Sequence, residues 1–228
     1  MVSPPKSSTS TRSRSLVERA IDGVELGRPP LHGDEEILAA ALHAFAEHGF
    51  GAMSLRALNA DLGLSHGAIG KRFESKERLF FAAVDHGFAR FFDQLAQRRA
   101  TLPRAKSELD ELRLTIHAFI LAAADHPTLG RLMLQEGVRS TDRLDYILSA
   151  VIEPAWRPVS DVLQHLISAG QVRPVTSRAL FFLVAQGAAI PFAAIGLSSA
   201  FDESDGPIDP EAHAEVLTDV IVRGLRTR

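Results

Sequence analysis

Apolar residues recur at intervals of three and four along most of the chain beyond residue 33, the period of helices buried on one side. After Asp34, Ile37, Ala41 and Phe45 fall on one side, with Leu38 and Leu42 on the neighbouring rows. Glu35 and Glu36 suit the positive end of that helix, and Gly49 is its expected stop. Ser75 caps a longer helix whose stripe is Phe80, Val84, Phe88, Phe91 and Leu95, with Pro103 as its latest end. Leu109, Leu112, Ile116, Phe119, Ile120 and Ala123 follow Ser107. His126-Pro127 interrupts them, and Leu129, Leu132 and Met133 make a short helix. Leu144, Ile147, Leu148 and Val151 run towards Pro154 and Pro158, which predict a kink or restart near Pro154. Val159, Val162, Leu163, Leu166 and Ile167 continue to a stop at Gly170.

Thr176 opens a further helix with Leu180, Phe181, Leu183, Val184 and Ala188, broken at Pro191. Residues 198–209 read as an acidic solvated loop. Asp209 and Pro210 start a last helix with Val216, Leu217, Val220, Ile221 and Leu225 on its apolar face. No strand pattern is sustained and no internal repeat is visible. The expected fold is all-α, with about nine helices.

Within this pattern, residues 54–73 read as two short helices about a tight turn. Ser54 caps the first, whose Leu55, Leu58 and Leu62 share a face. Gly63 suits the left-handed end, and Ser65 is the expected cap of a second helix with Ala68, Ile69 and Phe73 as its apolar positions. Helix, glycine turn, helix is the pattern of a DNA-binding helix-turn-helix, although the bare spacing also occurs in proteins that do not bind DNA. Lys71, Arg72, Lys76 and Arg78 beside it favour the nucleic-acid reading.

Composition narrows the possibilities. Net charge is −3, against a wholly basic binder, but residues 1–106 carry 15 Lys/Arg against 12 Asp/Glu and the remainder 10 against 16. Any phosphate contact is thus local to the first half. There is no cysteine, which removes disulfides, thiolate metal sites and cysteine nucleophiles. Residues 1–15 are too polar to pack, and Lys6, Arg12 and Arg14 offer either a flexible tail or a basic arm on DNA. No signal-peptide core opens the sequence and no run is long enough to span a bilayer, so a cytoplasmic protein without membrane partners is expected.

Residues 37–80 resemble the DNA-binding head of TetR-family transcriptional regulators. The matching text is Ile37-Leu38 with Ala40-Ala41, Phe45-Ala46-Glu47-His48-Gly49-Phe50, Ser54-Leu55-Arg56, Leu62-Gly63-Leu64-Ser65, Gly67-Ala68-Ile69, Phe73 and Ser75-Lys76-Glu77-Arg78-Leu79-Phe80. The resemblance implies an arm (1–33, disordered or weakly ordered), a helix-turn-helix domain (34–80) and a helical effector-binding and dimerisation domain (81–228). It further implies double-stranded DNA, a small-molecule effector and a second copy of the chain as partners. The copies would pair through helices near 176–190 and 210–226, and repression at a palindromic operator would be relieved by the effector.

On that reading Ser54 and Arg56 meet phosphate at the start of the helix that crosses the backbone. Ser65, His66, Gly67, Ala68, Lys71 and Arg72 belong to the reading helix, and Lys76 meets phosphate. Relatives commonly carry tyrosine where this chain has Gly70, so one expected DNA contact is missing. Gly27-Arg28-Pro29 resembles a minor-groove element of some relatives, with Leu26 in place of the arginine often found there.

In the body, Phe88, Phe91, Phe92, His117, Phe119, Ile120, Met133, Trp156 and Phe182 are the candidate lining of an effector site, mostly core with a few cavity positions. His117, Gln135 and Gln164 are its candidate polar contacts. An apolar or aromatic ligand is expected. His43 with Glu47 or His48 reads as surface histidine rather than a metal site, and no metal or cofactor is expected. No nucleophile triad context, phosphate-binding glycine loop or paired metal motif marks an enzyme. The alternative is a helical scaffold or lipophile carrier that does not bind DNA.

Overall fold

The structure, a computed structural model, describes residues 14–27 and 33–227. Among these it is helical without a strand, apart from an isolated antiparallel bridge between Val172 and Arg226. The arm residues Lys6, Arg12, Arg28 and Pro29 lie outside the described residues.

The described chain opens with a short helix. α1 (Leu16–Asp22) opens with a reciprocal cap, in which Ser15 Oγ accepts from the Glu18 amide and Glu18 accepts from the Ser15 amide. Leu16 and Val17 are fully buried, and α1 packs along α9 (Glu153–Ser168) and against α5 (Lys76–Thr101) and α6 (Glu108–Asp125). The Leu16 amide donates to Glu111, which also pairs with Arg99. Residues 16–22 therefore belong to the body, because three apolar side chains in seven residues are enough to dock a capped helix. The expectation of an arm weakly ordered through residue 33 does not hold for this stretch.

The head comprises α2 (Asp34–Ala52), α3 (Leu55–Asp61) and α4 (Ala68–Phe73), resting on α5. As expected, α2 loses helical geometry at Gly49, whose φ of 73° and ψ of 162° suit a residue without Cβ. Phe45, Phe50 and Phe80 pack edge and face at the junction of α2 and α5.

The body adds α7 (Pro127–Glu136), α8 (Asp142–Ile147), α10 (Ser177–Phe182) and α14 (Pro210–Leu225). Ser107, Thr141, Thr176 and Asp209 accept amide bonds as helix caps. Of the kink or restart expected near Pro154, the chain shows a restart. A π-helical turn, Leu148–Ile152, leads directly into α9, with Pro154 in its first turn and Pro158 inside it. A second π turn, Leu183–Ala188, precedes Pro191. The wider turn absorbs the hydrogen-bond mismatch that each missing proline N–H creates. Two short helices, α11 (Ile190–Ala193) and α12 (Ile195–Ser198), lead into the expected acidic loop, which itself contains a 3-10 turn and α13 (Asp202–Asp205).

The last helix divides its apolar residues. Ala214, Ile221, Val222 and Leu225 are buried, chiefly against α6, whereas Val216 and Val220 are 57% and 60% exposed. Phe182, Leu183, Ile195, Leu197 and Phe201 are also exposed, all from the chain between Thr176 and Asp209.

Candidate nucleic-acid interface and body cavity

The two helices of the reading unit are joined by a buried asparagine. Asn59 Nδ2 donates to the Leu55 carbonyl at 2.7 Å, while its Oδ1 accepts from the Ile69 amide at 3.2 Å. Asn59 therefore fixes α4 against α3, and Ile69 is fully buried beneath them. The sequence carried a signal for it: Asn59 is a polar residue one turn after Leu55 on the apolar face.

Ser65 does not cap α4. Its carbonyl accepts from the Ala68 amide, and Gly67, at a φ of 77°, is the residue before the helix. Ser65, His66 and Gly67 thus form the turn, and α4 itself carries Ala68, Gly70, Lys71 and Arg72. Ser54 caps α3 as expected, at 3.4 Å from the Ala57 amide. Ser54, Arg56, Ser65, His66 and Lys71 are exposed on the outer side of this unit, with Gly67 and Ala68 half-buried.

The remaining cations are engaged within the protein. Arg72 pairs with Asp34, the first residue of α2, which is 6% exposed. Lys76 Nζ lies 3.3 Å from the Gly51 carbonyl and 4.9 Å above the Phe50 ring. Burial, and then the charge of Arg143, lowers the Lys76 pKa from the usual lysine range. These two side chains hold the head together, Arg78 is exposed beside its partner Glu74, and Arg56 and Lys71 are displayed outward. A Cβ at Gly70 would meet nothing within 4 Å, so the room for a larger side chain is present and empty of one.

Behind the head lies a cavity of about 590 Å³. Of the residues named as candidate lining, Phe88, Phe91, Phe92, Phe119, Met133, Trp156 and Phe182 line it. His117 and Ile120 do not. On α6, His117 is turned away from the wall formed by Leu112, Thr115, Ile116 and Phe119, while Ile120, one turn after Ile116, lies just past its edge. Ile120 packs into the core shared with α9 and α14, and His117 faces Glu211 and Glu215 of α14. Gln164 is exposed, and Gln135 is used elsewhere. The polar groups in the wall are Thr115, His126, Ser177, Arg178 and Gln186. Val17 and Ala20 of α1 also line it, a contribution that the polar amino-terminal composition concealed.

One wall is shared with the head. α7 presents Leu129, Gly130 and Met133 to the cavity, while Gln135 donates to the Ala46 carbonyl of α2 and Arg131 lies 3.5 Å from Glu47. Arg143 stacks 4.1 Å over Phe50 and bonds Glu136 at 3.0 Å. Glu47 therefore serves a helix contact. His43 and His48 are exposed, and no cluster of three metal-ligating side chains occurs among the described residues. No helix among them is long and apolar enough to cross a membrane.

Residues 37–83 match the sequence family described as bacterial regulatory proteins, tetR family. The HTH-type transcriptional repressor AcnR of Corynebacterium efficiens is 36% identical over 74 residues, which are 32% of this chain and 39% of that protein. The match thus spans well under half the length of the curated relatives. By structure, a bacterial regulatory protein in the tetR family from Rhodococcus RHA1 superposes with a TM-score of 0.62 at 21% identity, covering 87% of this chain and all of that one. The ketosteroid transcriptional regulator KstR2 of Mycobacterium tuberculosis gives 0.64 at 18%, covering 89% and 99%. Residues 37–83 thus carry the sequence match to the tetR family, and the rest of the chain shares the fold of these solved structures.

Proposed function

We propose that the protein is a ligand-responsive repressor that binds a palindromic operator as a homodimer and releases it when a small apolar molecule fills the body cavity. The observation that carries this reading is α7, which walls the cavity on one side and grips α2 of the DNA-binding head through Gln135 and Arg131 on the other. A ligand that needs a wider cavity shifts α7, and the head moves with it. In the head, Ser54, Arg56 and the Ser65–Gly67 turn contact the backbone, and α4 enters the major groove with Ala68 and Lys71 foremost. Arg72 and Lys76 act by holding the head in shape, with Lys76 close to the DNA backbone at the start of α5.

The carrier alternative accounts for the cavity but gives no role to a displayed helix-turn-helix with Arg56 and Lys71 on its outer side. Footprinting on the DNA upstream of the gene tests the reading. Protection that weakens steeply with salt is expected, because neutralised phosphates release counterions. Lys71→Ala is expected to relax sequence preference, with a cost of about 1–3 kcal/mol at the preferred site if it reads a base. An absence of protection at low salt overturns the proposal.

A further inference from the structure

Between the segment α11–α13 and the last helix, α14, lies a groove of about 530 Å³. Leu197, Phe201 and Val216 line it and are exposed, Leu197 at 71%, so apolar surface meets water there. Asp202 and Asp205 of α13 line the same groove, and neither has an ion-pair partner among the described residues. An apolar groove with unpaired carboxylates fits a partner that brings a large apolar side chain and a cation together.

This chain presents that combination on α10. Arg178 and Phe182 are four residues apart and share a helix face, with Leu183 next in sequence. All three are exposed, and Arg178 has no ion-pair partner among the described residues. Arg178 and Phe182 also line the body cavity, and an exposed residue in a cavity wall stands at its mouth. Two copies exchange complementary patches about a two-fold axis when those patches lie close together, because each copy gives and receives at once. That condition is met, since Ile190 lines both the groove and the cavity.

We propose that a second copy of the chain seats its Arg178–Phe182 face in this groove, with Arg178 against Asp202 and Asp205, and that the contact closes the mouth of the body cavity. The inference rests on the homodimer reading and adds that the cavity is incomplete in a single chain. In the pair, the groove of each copy covers the cavity mouth of the other. Whatever fills the closed cavity is then bound more tightly by the dimer, and stabilises the dimer by mass action.

Both faces are exposed, so charge reversals there leave the fold intact. In sedimentation of the full chain at low salt, Arg178→Glu is expected to weaken dimerisation at least about 10-fold, because each contact occurs twice about the axis. Asp202→Arg with Asp205→Arg is expected to do the same. Combining all three substitutions exchanges the charges and is expected to restore the dimer. Leu197→Asp places a charge in the apolar groove and is expected to leave the chain monomeric at micromolar concentration.

Leu197 does not line the cavity, so any effect of Leu197→Asp on access to it passes through the partner copy. Trp156, the chain's single tryptophan, lines the cavity and reports that access. Its quenching by acrylamide is expected to be stronger in the Leu197→Asp monomer than in the wild-type dimer. A wild-type dimer that neither charge reversal weakens, or that the combined exchange fails to restore, overturns the docking. Equal quenching in monomer and dimer overturns the closure. A wild type that sediments as a monomer is a different failure, that of the homodimer reading itself.

Discussion

At the scale of single residues, the head depends on polar groups that turn inward. Asn59 spends both ends of its amide on the two reading helices, and Arg72 reaches back to Asp34. Asn59→Ala strands the buried Ile69 amide and is expected to cost about 1–3 kcal/mol in denaturant titration, with DNA affinity falling alongside. A variant as stable as wild type would refute that role. Apolar spacing alone located α3, α4 and the exposed Arg56 and Lys71, because periodicity reports which face is buried. It was blind to Arg72, since a cation two positions beyond Gly70 looks the same whether it meets phosphate or a carboxylate 38 residues earlier in the chain. The cap of α4 was misplaced for a local reason: Ser65 has the chemistry of a cap, but the left-handed Gly67 lets the turn run two residues longer.

At the scale of elements, the strap between α1 and the head is tied to the body at defined points. The Glu25 amide donates to the Ala150 carbonyl at 3.2 Å, and the Gly27 amide to Asp85 at 2.9 Å. Asp85 also accepts from the Tyr146 hydroxyl at 2.7 Å, so one carboxylate on α5 gathers the strap and α8. Burial raises the Asp85 pKa above its ordinary value, and the two hydrogen bonds only partly oppose that. The folded state therefore holds this proton more tightly than the unfolded chain does. Its contribution to stability is complete below the ordinary carboxylate pKa and is lost as pH rises through the raised one. The melting temperature of wild type relative to Asp85→Asn is accordingly expected to fall across that interval. A pH-independent difference would refute it. Helix positions were legible from spacing throughout the body, whereas the π turns before Pro154 and Pro191 were not. Proline announces that a bond is missing, and only the surrounding packing decides between a break and a wider turn.

At the scale of the whole molecule, two apolar surfaces compete for explanation. The inner one is the cavity, which the sequence outlined through its phenylalanines but misassigned at His117 and Ile120, because neighbouring rows of α6 serve different cores. The outer one is made of exposed apolar side chains on two stretches, Phe182, Leu183 and Leu197 on the one and Val216 and Val220 on the last helix. A large exposed apolar face marks an interface, and a second copy of the chain can cover it with the same face. Val216→Glu with Val220→Glu is expected to convert a micromolar dimer to monomer in sedimentation and to weaken operator binding. A wild-type monomer at that concentration would refute it. The docked helix α1 has a practical consequence at this scale. The sequence match to the family begins at residue 37, and a gene trimmed to that boundary would encode the helix-turn-helix but lose Asp34, the partner of Arg72. Its cavity would also lose the wall that Val17 and Ala20 supply, and Glu111 its bond to the Leu16 amide. On the proposed reading such a protein would lack a brace of its head and part of the wall that meets the effector, so a screen for effectors is meaningful only on a chain that keeps α1 and Asp34.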